Sequence, residues 1–334
     1  MHLRLIPRPA TDFQQPPTAA EISAFATRLL PPDAILAEAV ELGGGAFNNT
    51  FRLTTADGHH SILRLSPPPA HPLIFHVEHH LLRREYSLTP WLSGAVSAFL
   101  PRTLGTDLSH TICPRDAILS EFVEGENWDT VMPTLTPADN DALWRQLAAL
   151  LRRIHATPAP HFGWTSPATP HTRWSDFILG NIHGLLADCQ RLGVPDTEAR
   201  AWAAVAERCA PALDLITEPR VLHGDPWPKN VLIRRASPNE SPNIVALLDH
   251  ERGGFGDPQS EWVFHGCDFP PVFWEAYGPR PTDPASQIRA HLYRGTIAIQ
   301  CLLESTRYPG VDLATPRHHL VTATEDLRRL LLVS

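Results

Sequence analysis

No apolar stretch in the chain is long enough to span a bilayer, and Met1 to Ala10 carries Arg4 and Arg8 without the apolar centre of a secretion signal. Paired cysteines are lacking too. The five present (Cys113, Cys189, Cys209, Cys267 and Cys301) lie far apart, odd in number and without zinc spacing. That argues against a disulfide framework or a zinc module and predicts free thiols in a reducing cytoplasm. Positive charge is in deficit: the formal net charge is -8, so neither nucleic acid nor an anionic membrane is expected as the main partner. No internal repeat is visible. What is present is a chain of 334 residues, 43% hydrophobic and 19% charged, with the length for one or two domains around a large core. Its 34 prolines are spread along the sequence and punctuate loops.

The most informative stretch is Val221 to Ile233, VLHGDPWPKNVLI. A short apolar entry leads into the polar turn His223-Gly224-Asp225. Pro226 and Pro228 keep the following loop out of a helix. After Asn230, the run Val231-Leu232-Ile233 reads as a buried strand, and a second apolar run, Ile244 to Leu248, ends in Asp249. The segment between them, rich in Ser, Pro and Asn, reads as a hairpin connection. One carboxylate, one amide and a second carboxylate therefore meet at one edge of a small hairpin. Magnesium-dependent phosphoryl transfer needs this set: one carboxylate orients and deprotonates a hydroxyl, while an amide oxygen and another carboxylate hold Mg2+ on the phosphates.

His223-Gly224-Asp225, Asn230 five residues on and Leu248-Asp249 resemble the signature of the aminoglycoside and choline phosphotransferase family, small-molecule kinases of protein-kinase-like fold. The resemblance implies an α+β chain of two lobes. Residues 1–120 would form a β-rich lobe with an arm and one helix, 121–125 a hinge, and 126–334 a larger, mainly helical lobe. It implies Asp225 as the catalytic base, Asn230 and Asp249 as metal ligands, and ATP or GTP with Mg2+ as cofactors.

Taken in order, residues 1–20 show little periodicity and read as a weakly tethered arm, followed by a short amphipathic helix from Glu21 to Leu30. A strand then enters a glycine-rich turn, and Asp57-Gly58 turns the chain into a third strand, Ser61 to Leu65. Glycines there let the backbone approach phosphates with free amides. The turn is similar to the family's nucleotide loop, matched by Gly44, Gly45, Asn48 and Phe51. The third strand carries Arg64 where the family usually has Lys; its guanidinium keeps the charge for the α- and β-phosphates. A helix over roughly Phe75 to Leu88 would supply Glu85 to fix that cation. His76, His79 and His80 have metal-ligand spacing on such a helix, but without a fourth ligand they read as packed or surface histidines. Ser120 to Gly125 resembles the hinge that binds the base, with Ser120 and Phe122 as the base-edge candidates.

Beyond the hinge the pattern is helical. Thr136-Pro137-Ala138-Asp139 caps a helix whose Leu143, Leu147, Leu150, Leu151 and Ile154 face a core. Helices are expected over 174–190, 197–216, Tyr293 to Arg307 and Ala323 to Leu332. The resemblance continues with Asp249, Glu251, Gly256-Asp257-Pro258 and Glu261, the last standing where Asp is usual. Seven acids between Asp249 and Asp283, Asp268 among them, alternate with Trp262, Phe264, Phe269, Phe273, Trp274 and Tyr277. Either the aromatics are core, or Glu251, Asp257 and Glu261 line a site for a cationic substrate. The expected acceptor is a hydroxyl of an antibiotic such as an aminoglycoside. A choline, amino-alcohol or sugar acceptor is the alternative, and a nucleotide-binding protein without catalysis is the alternative of another class. No partner beyond the small molecule is implied.

Overall fold

The computed structural model describes residues 1–167, 170–237, 240–261, 269–308 and 310–332. Strands β1 (His2–Arg4), β2 (Leu36–Leu42), β3 (Asn49–Thr55), β4 (His60–Leu65), β5 (Thr103–Asp107) and β6 (Ala117–Glu121) form one sheet in the order β1-β2-β3-β4-β6-β5. Only β1 pairs in parallel; the rest are antiparallel, with short hairpin connections joining β2 to β3 and β3 to β4. Phe51, Leu53, Leu63 and Leu65 alternate inward and bury against Ile22, Phe25 and Ala26 of helix α1 (Ala19–Leu29). Thr18 caps that helix, its hydroxyl accepting from the Glu21 amide while Glu21 accepts from the Thr18 amide.

The arm is not loosely tethered. Its first residues extend the sheet as β1, Arg8 pairs with Glu41 at 2.7 Å, and Phe13 is buried. The small cluster it joins, with Phe47, Ile74 and Leu81, is assembled from segments distant in sequence, which local periodicity does not reveal. The helix expected from Phe75 also differs. A 3-10 turn at His76–Glu78 is followed by His80 in the left-handed region (φ 62°), so α2 begins at Leu81 and runs to Val96. It passes through Pro90 although Pro cannot donate to the preceding turn. His76, His79 and His80 therefore share no helical face.

The second region is built on α4 (Pro137–His155), capped by Thr136 as its sequence predicts. Its buried Leu143, Leu147, Leu150, Leu151 and Ile154 pack against Leu88, Leu92 and Val96 of α2 and against Phe269 and Phe273. A second buried core gathers α5 (Trp174–Leu192), α6 (Thr197–Ala206) and α7 (Ala210–Leu213), the last two separated where Pro211 follows a short 3-10 turn. The short α3 (Trp128–Val131) precedes α4, and α8 (Pro271–Tyr277), α9 (Pro284–Glu304) and α10 (Ala314–Leu330) follow the Val221–Asp249 stretch. The ninth helix starts earlier than expected because Asp283 caps it, accepting from the Ser286 amide. Cys113, Cys189, Cys209 and Cys301 are free; Cys267 lies outside the described residues.

Three short ladders carry the His223-Gly224-Asp225 stretch. β8 (Arg220–Leu222) pairs with β11 (Gly254–Gly256), and β9 (Val231–Arg234) pairs with β10 (Asn243–Leu247) and with β7 (Glu126–Asn127). Between β8 and β9 the chain turns at Gly224, whose φ of 94° lies in the left-handed region. A Cβ there would sit 2.3 Å from the backbone of Arg252 and Gly253. Gly44, at φ 95° in the first glycine-rich turn, meets nothing within 4 Å. Strain alone at Gly44 and strain plus a backbone collision at Gly224 should separate in their cost. In denaturant unfolding, Gly224→Ala is expected to lose at least about 2 kcal/mol more than Gly44→Ala, because a backbone obstacle cannot rotate aside. Equal losses would mean that the Gly224 turn relaxes freely.

Candidate active site

The turn after β8 is held from both sides. The Gly224 amide donates to Glu261 Oε1 at 2.9 Å, and Asn230 Nδ2 donates to the Asp225 carbonyl at 2.9 Å and to its Oδ2 at 2.8 Å. Pro226 and Pro228 restrict the intervening loop, and a 3-10 turn at Pro228–Asn230 returns it to β9. The Leu248 amide donates to the Asn230 carbonyl at 2.8 Å, tying the end of β10 to the same loop. Asp249, which follows, adopts a left-handed φ of 61°, a region that Asp tolerates better than most residues. Asp225, Asn230 and Asp249 thus stand on two adjoining turns.

The sheet supplies cations and acids to this edge. Arg64 on β4 pairs with Glu85 on α2, and its other nitrogen lies 3.6 Å from Asp249 Oδ1. One guanidinium therefore spans an acid from each region. Glu85, Asp249 and Glu251 each bring one carboxylate oxygen within 4.8 Å of the other two, the one such His, Cys or acid group among the described residues. Glu85 Oε2 and Asp249 Oδ1 are buried and accept no hydrogen bond. A compact set of hard oxygen donors with unfilled acceptor atoms fits Mg2+. Burial and the neighbouring Asp249 push the Glu251 carboxyl up to about 8.

Asn48, from the glycine-rich turn, donates to Glu251 Oε2 at 2.6 Å, so the turn reaches across to the acid cluster. Gly44 and Gly45 remain exposed at its tip. Ser120 lies within β6, opposite Ile62 of β4, and Phe122 follows the strand with its ring 5.5 Å from that of His60. β6 lies between β4 and the edge strand β5, and the site's acids are instead paired with Arg64 and Asn48.

The three acids expected on a substrate wall are instead interior. Glu251 is taken by Asn48, and Asp257 accepts from Arg289 at 3.1 Å and Tyr293 at 2.8 Å. Glu261 accepts from the Gly224 amide and faces His155 Nε2 at 3.5 Å. Burial acts to raise the Glu261 carboxyl, but His155, His223 and that amide outweigh it and hold it below the usual range. Each of the three is met by internal donors, as a carboxylate taken out of water requires. Phe269, Phe273, Trp274 and Tyr277 pack into the α4 core, while Trp262, Phe264 and Asp268 lie outside the described residues. A hollow of about 700 Å³ borders Arg152, His155, Asp257 and Tyr277, and none of Asp225, Asn230 and Asp249 lines it.

Three charged residues escape the sequence reading. Burial opposes the charge on Arg252, yet Glu78, Glu251, Asp225 and Asp249 around it leave it protonated more firmly than usual. Arg252 pairs with buried Glu78 at 3.3 Å, and Glu78 also takes Arg307 from beyond α9. Arg252 had a signal, since it is the guanidinium inside the run of acids after Asp249. Glu78 and Arg307 had none, because their meeting depends on the tertiary fold.

Residues 38–326 match the phosphotransferase enzyme family. No curated protein matches the chain. Among solved structures, the GDP complex of aminoglycoside 2'-phosphotransferase-IIIa is similar over 92% of this chain and 98% of its own, with 18% identity and a TM-score of 0.59. The gentamicin complex of APH(2")-IIa covers 94% and 97%, at 14% identity and a TM-score of 0.60. The APH(4)-Ia ternary complex with AMP-PNP and hygromycin B covers 92% and 99%, at 18% identity and a TM-score of 0.59. The sheet-rich first region and helical second region are those of the two-lobe, protein-kinase-like fold, with no helix among the described residues long and apolar enough to cross a membrane. With its match spanning most of the chain, this protein belongs to the phosphotransferase enzyme family.

Proposed function

We propose that the chain is a cytoplasmic small-molecule kinase that moves the γ-phosphoryl group of ATP or GTP to a hydroxyl of an antibiotic-like acceptor such as an aminoglycoside. The observation that carries this reading is the joining of Asp225, Asn230 and Asp249 at one edge, faced by the Arg64–Glu85 pair. The solved relatives with GDP, AMP-PNP, gentamicin and hygromycin B support both the nucleotide and the acceptor class. In this reading residues 1–120 and 126–334 are the two lobes and 121–125 the hinge, with Ser120 and Phe122 beside the base.

Asp225 orients the acceptor hydroxyl and takes its proton. The hydrogen bonds from Asn230 Nδ2 fix the carboxylate for that task and leave the Asn230 amide oxygen for the metal side, with Asp249. Asn230 and Asp249 would hold Mg2+, which would supply positive charge for the phosphates. Arg64 offers its guanidinium to the α- and β-phosphates, kept in place by Glu85, while the Gly44 and Gly45 amides approach the same phosphates. Most of the acceleration comes from positioning and fixed charge, because the phosphoryl transition state is loose. Excess negative charge on the chain favours a cationic acceptor in its approach.

A panel of aminoglycosides, other hydroxylated antibiotics, choline, amino alcohols and sugars, assayed with γ-labelled ATP and GTP, tests the reading directly. Transfer to an antibiotic is the expected outcome; transfer to choline or a sugar alone would replace the acceptor class, and none would favour the non-catalytic binder. With the accepted compound, Asp225→Ala is expected to lower turnover at least ~10²-fold while nucleotide affinity stays near wild type. Near-normal turnover would remove Asp225 from the mechanism.

The phosphate role of Arg64 has its own test. Arg64→Ala should weaken triphosphate binding and slow transfer, whereas Arg64→Lys retains part of both, since it keeps the charge and loses the fork. Because Glu85 acts through Arg64, the Arg64→Ala/Glu85→Ala double variant should be much less damaging than the two singles added. Strict additivity with both singles near wild type would end the assignment.

A further inference from the structure

Residues 1–18 precede the family match, which begins at residue 38, yet they reach the glycine-rich turn. Phe13 is 4% exposed, its ring 5.5 Å from that of Phe47, and Gln14 Nε2 donates to the Asn48 carbonyl at 2.9 Å. From the opposite end of the chain, Tyr308 donates its hydroxyl to the Ala46 carbonyl at 2.7 Å. Arg307 beside it lies over Phe13 at 4.3 Å and over Phe75 at 3.7 Å, and its charge is met by Glu78. The base of the turn, 46–48, is thus fastened by both termini, while its tip at Gly43 to Gly45 stays exposed.

We propose that Phe13 and the Arg307–Tyr308 turn form a latch that positions the glycine-rich turn and so governs how long a nucleoside triphosphate is held. The proposal rests on the nucleotide-binding reading above. A turn already fixed at its base loses little further freedom when phosphates dock on its tip, so binding is stronger than to a free loop. Release then requires the turn to lift against its fastenings, which slows dissociation. Arg307 extends the effect inward, because Glu78 also holds Arg252 beside Asp225 and Asp249. Phe13, Arg307 and Tyr308 are positioning residues in this account, since they act on the nucleotide through the turn.

Two variants test the latch with the fold retained: Tyr308→Phe removes only the hydroxyl, and Phe13→Leu keeps an apolar side chain without the ring. Dissociation of a fluorescent ATP or GTP analogue with Mg2+ would be timed by displacement, beside amide hydrogen exchange over residues 43–48 and the melting temperature. Tyr308→Phe is expected to speed dissociation about threefold, the scale of one hydrogen bond, with faster exchange of the turn. Phe13→Leu is expected to do so about threefold to tenfold, having lost ring contacts with both Phe47 and Arg307. Unchanged dissociation in both variants, even with a lowered melting temperature, would reduce the contacts to plain structural anchoring and overturn the latch. If the unaltered protein binds neither nucleotide, the kinase reading fails by itself; exchange then decides the fastening, which unchanged rates in both variants would overturn.

Discussion

The constraint on which this site depends is that carboxylates gathered in a half-buried space need cations in the same place. Glu85, Asp249 and Glu251 approach one another closely enough that, unpaired, they could not all remain ionised, and the buried Glu78 needs a partner of its own. Arg64, Arg252 and Arg307 answer this, each arriving from a different segment. All three are arginines in a chain whose single lysine, Lys229, stands on the loop after Asp225 with its ammonium 4.8 Å from the Trp227 ring. A guanidinium can serve two acids at once through its separate nitrogens, and it sheds water more readily than an ammonium. The Glu78 carboxylate, with Arg252 and Arg307 on either side, joins the turn after Asp249 to the segment beyond α9.

What could be read from the sequence was what local chemistry determines. The His223-Gly224-Asp225 turn, the amide five residues later and the strand-end acid are set by spacing, because turn geometry and a short hairpin leave few ways to arrange them. The α4 stripe was legible for the same reason: helical spacing and a Thr-Pro-x-Asp cap act within a few residues. The start of α2 was not legible, since it depends on His80 taking a left-handed conformation while Arg84 reaches back to the Val77 carbonyl at 2.7 Å. The arm was misread because each of its anchors, Glu41, Phe47 and Asn48, is more than twenty residues away. The acids after Asp249 were misread in a different way. Their composition suggested an open, negatively charged wall, but whether a carboxylate faces water or an internal donor is set by neighbours such as Arg289 and Tyr293, which lie over thirty residues further on.

Two positions depart from the family's usual residues, and the structure treats both alike. Arg64 replaces Lys, and the longer, forked side chain reaches Glu85 while holding a second nitrogen 3.6 Å from Asp249. Glu261 replaces Asp, and its two oxygens are divided between the Gly224 amide at 2.9 Å and His155 at 3.5 Å. Tyr277, 2.7 Å from the other nitrogen of His155, orients that imidazole. In each case added length is matched by a partner that uses it. An extra methylene without a partner would leave a buried charge or a displaced turn, costing more than the substitution's small change in volume. These departures are therefore compensated within the chain itself, and they leave Asp225, Asn230 and Asp249 grouped around the same loop.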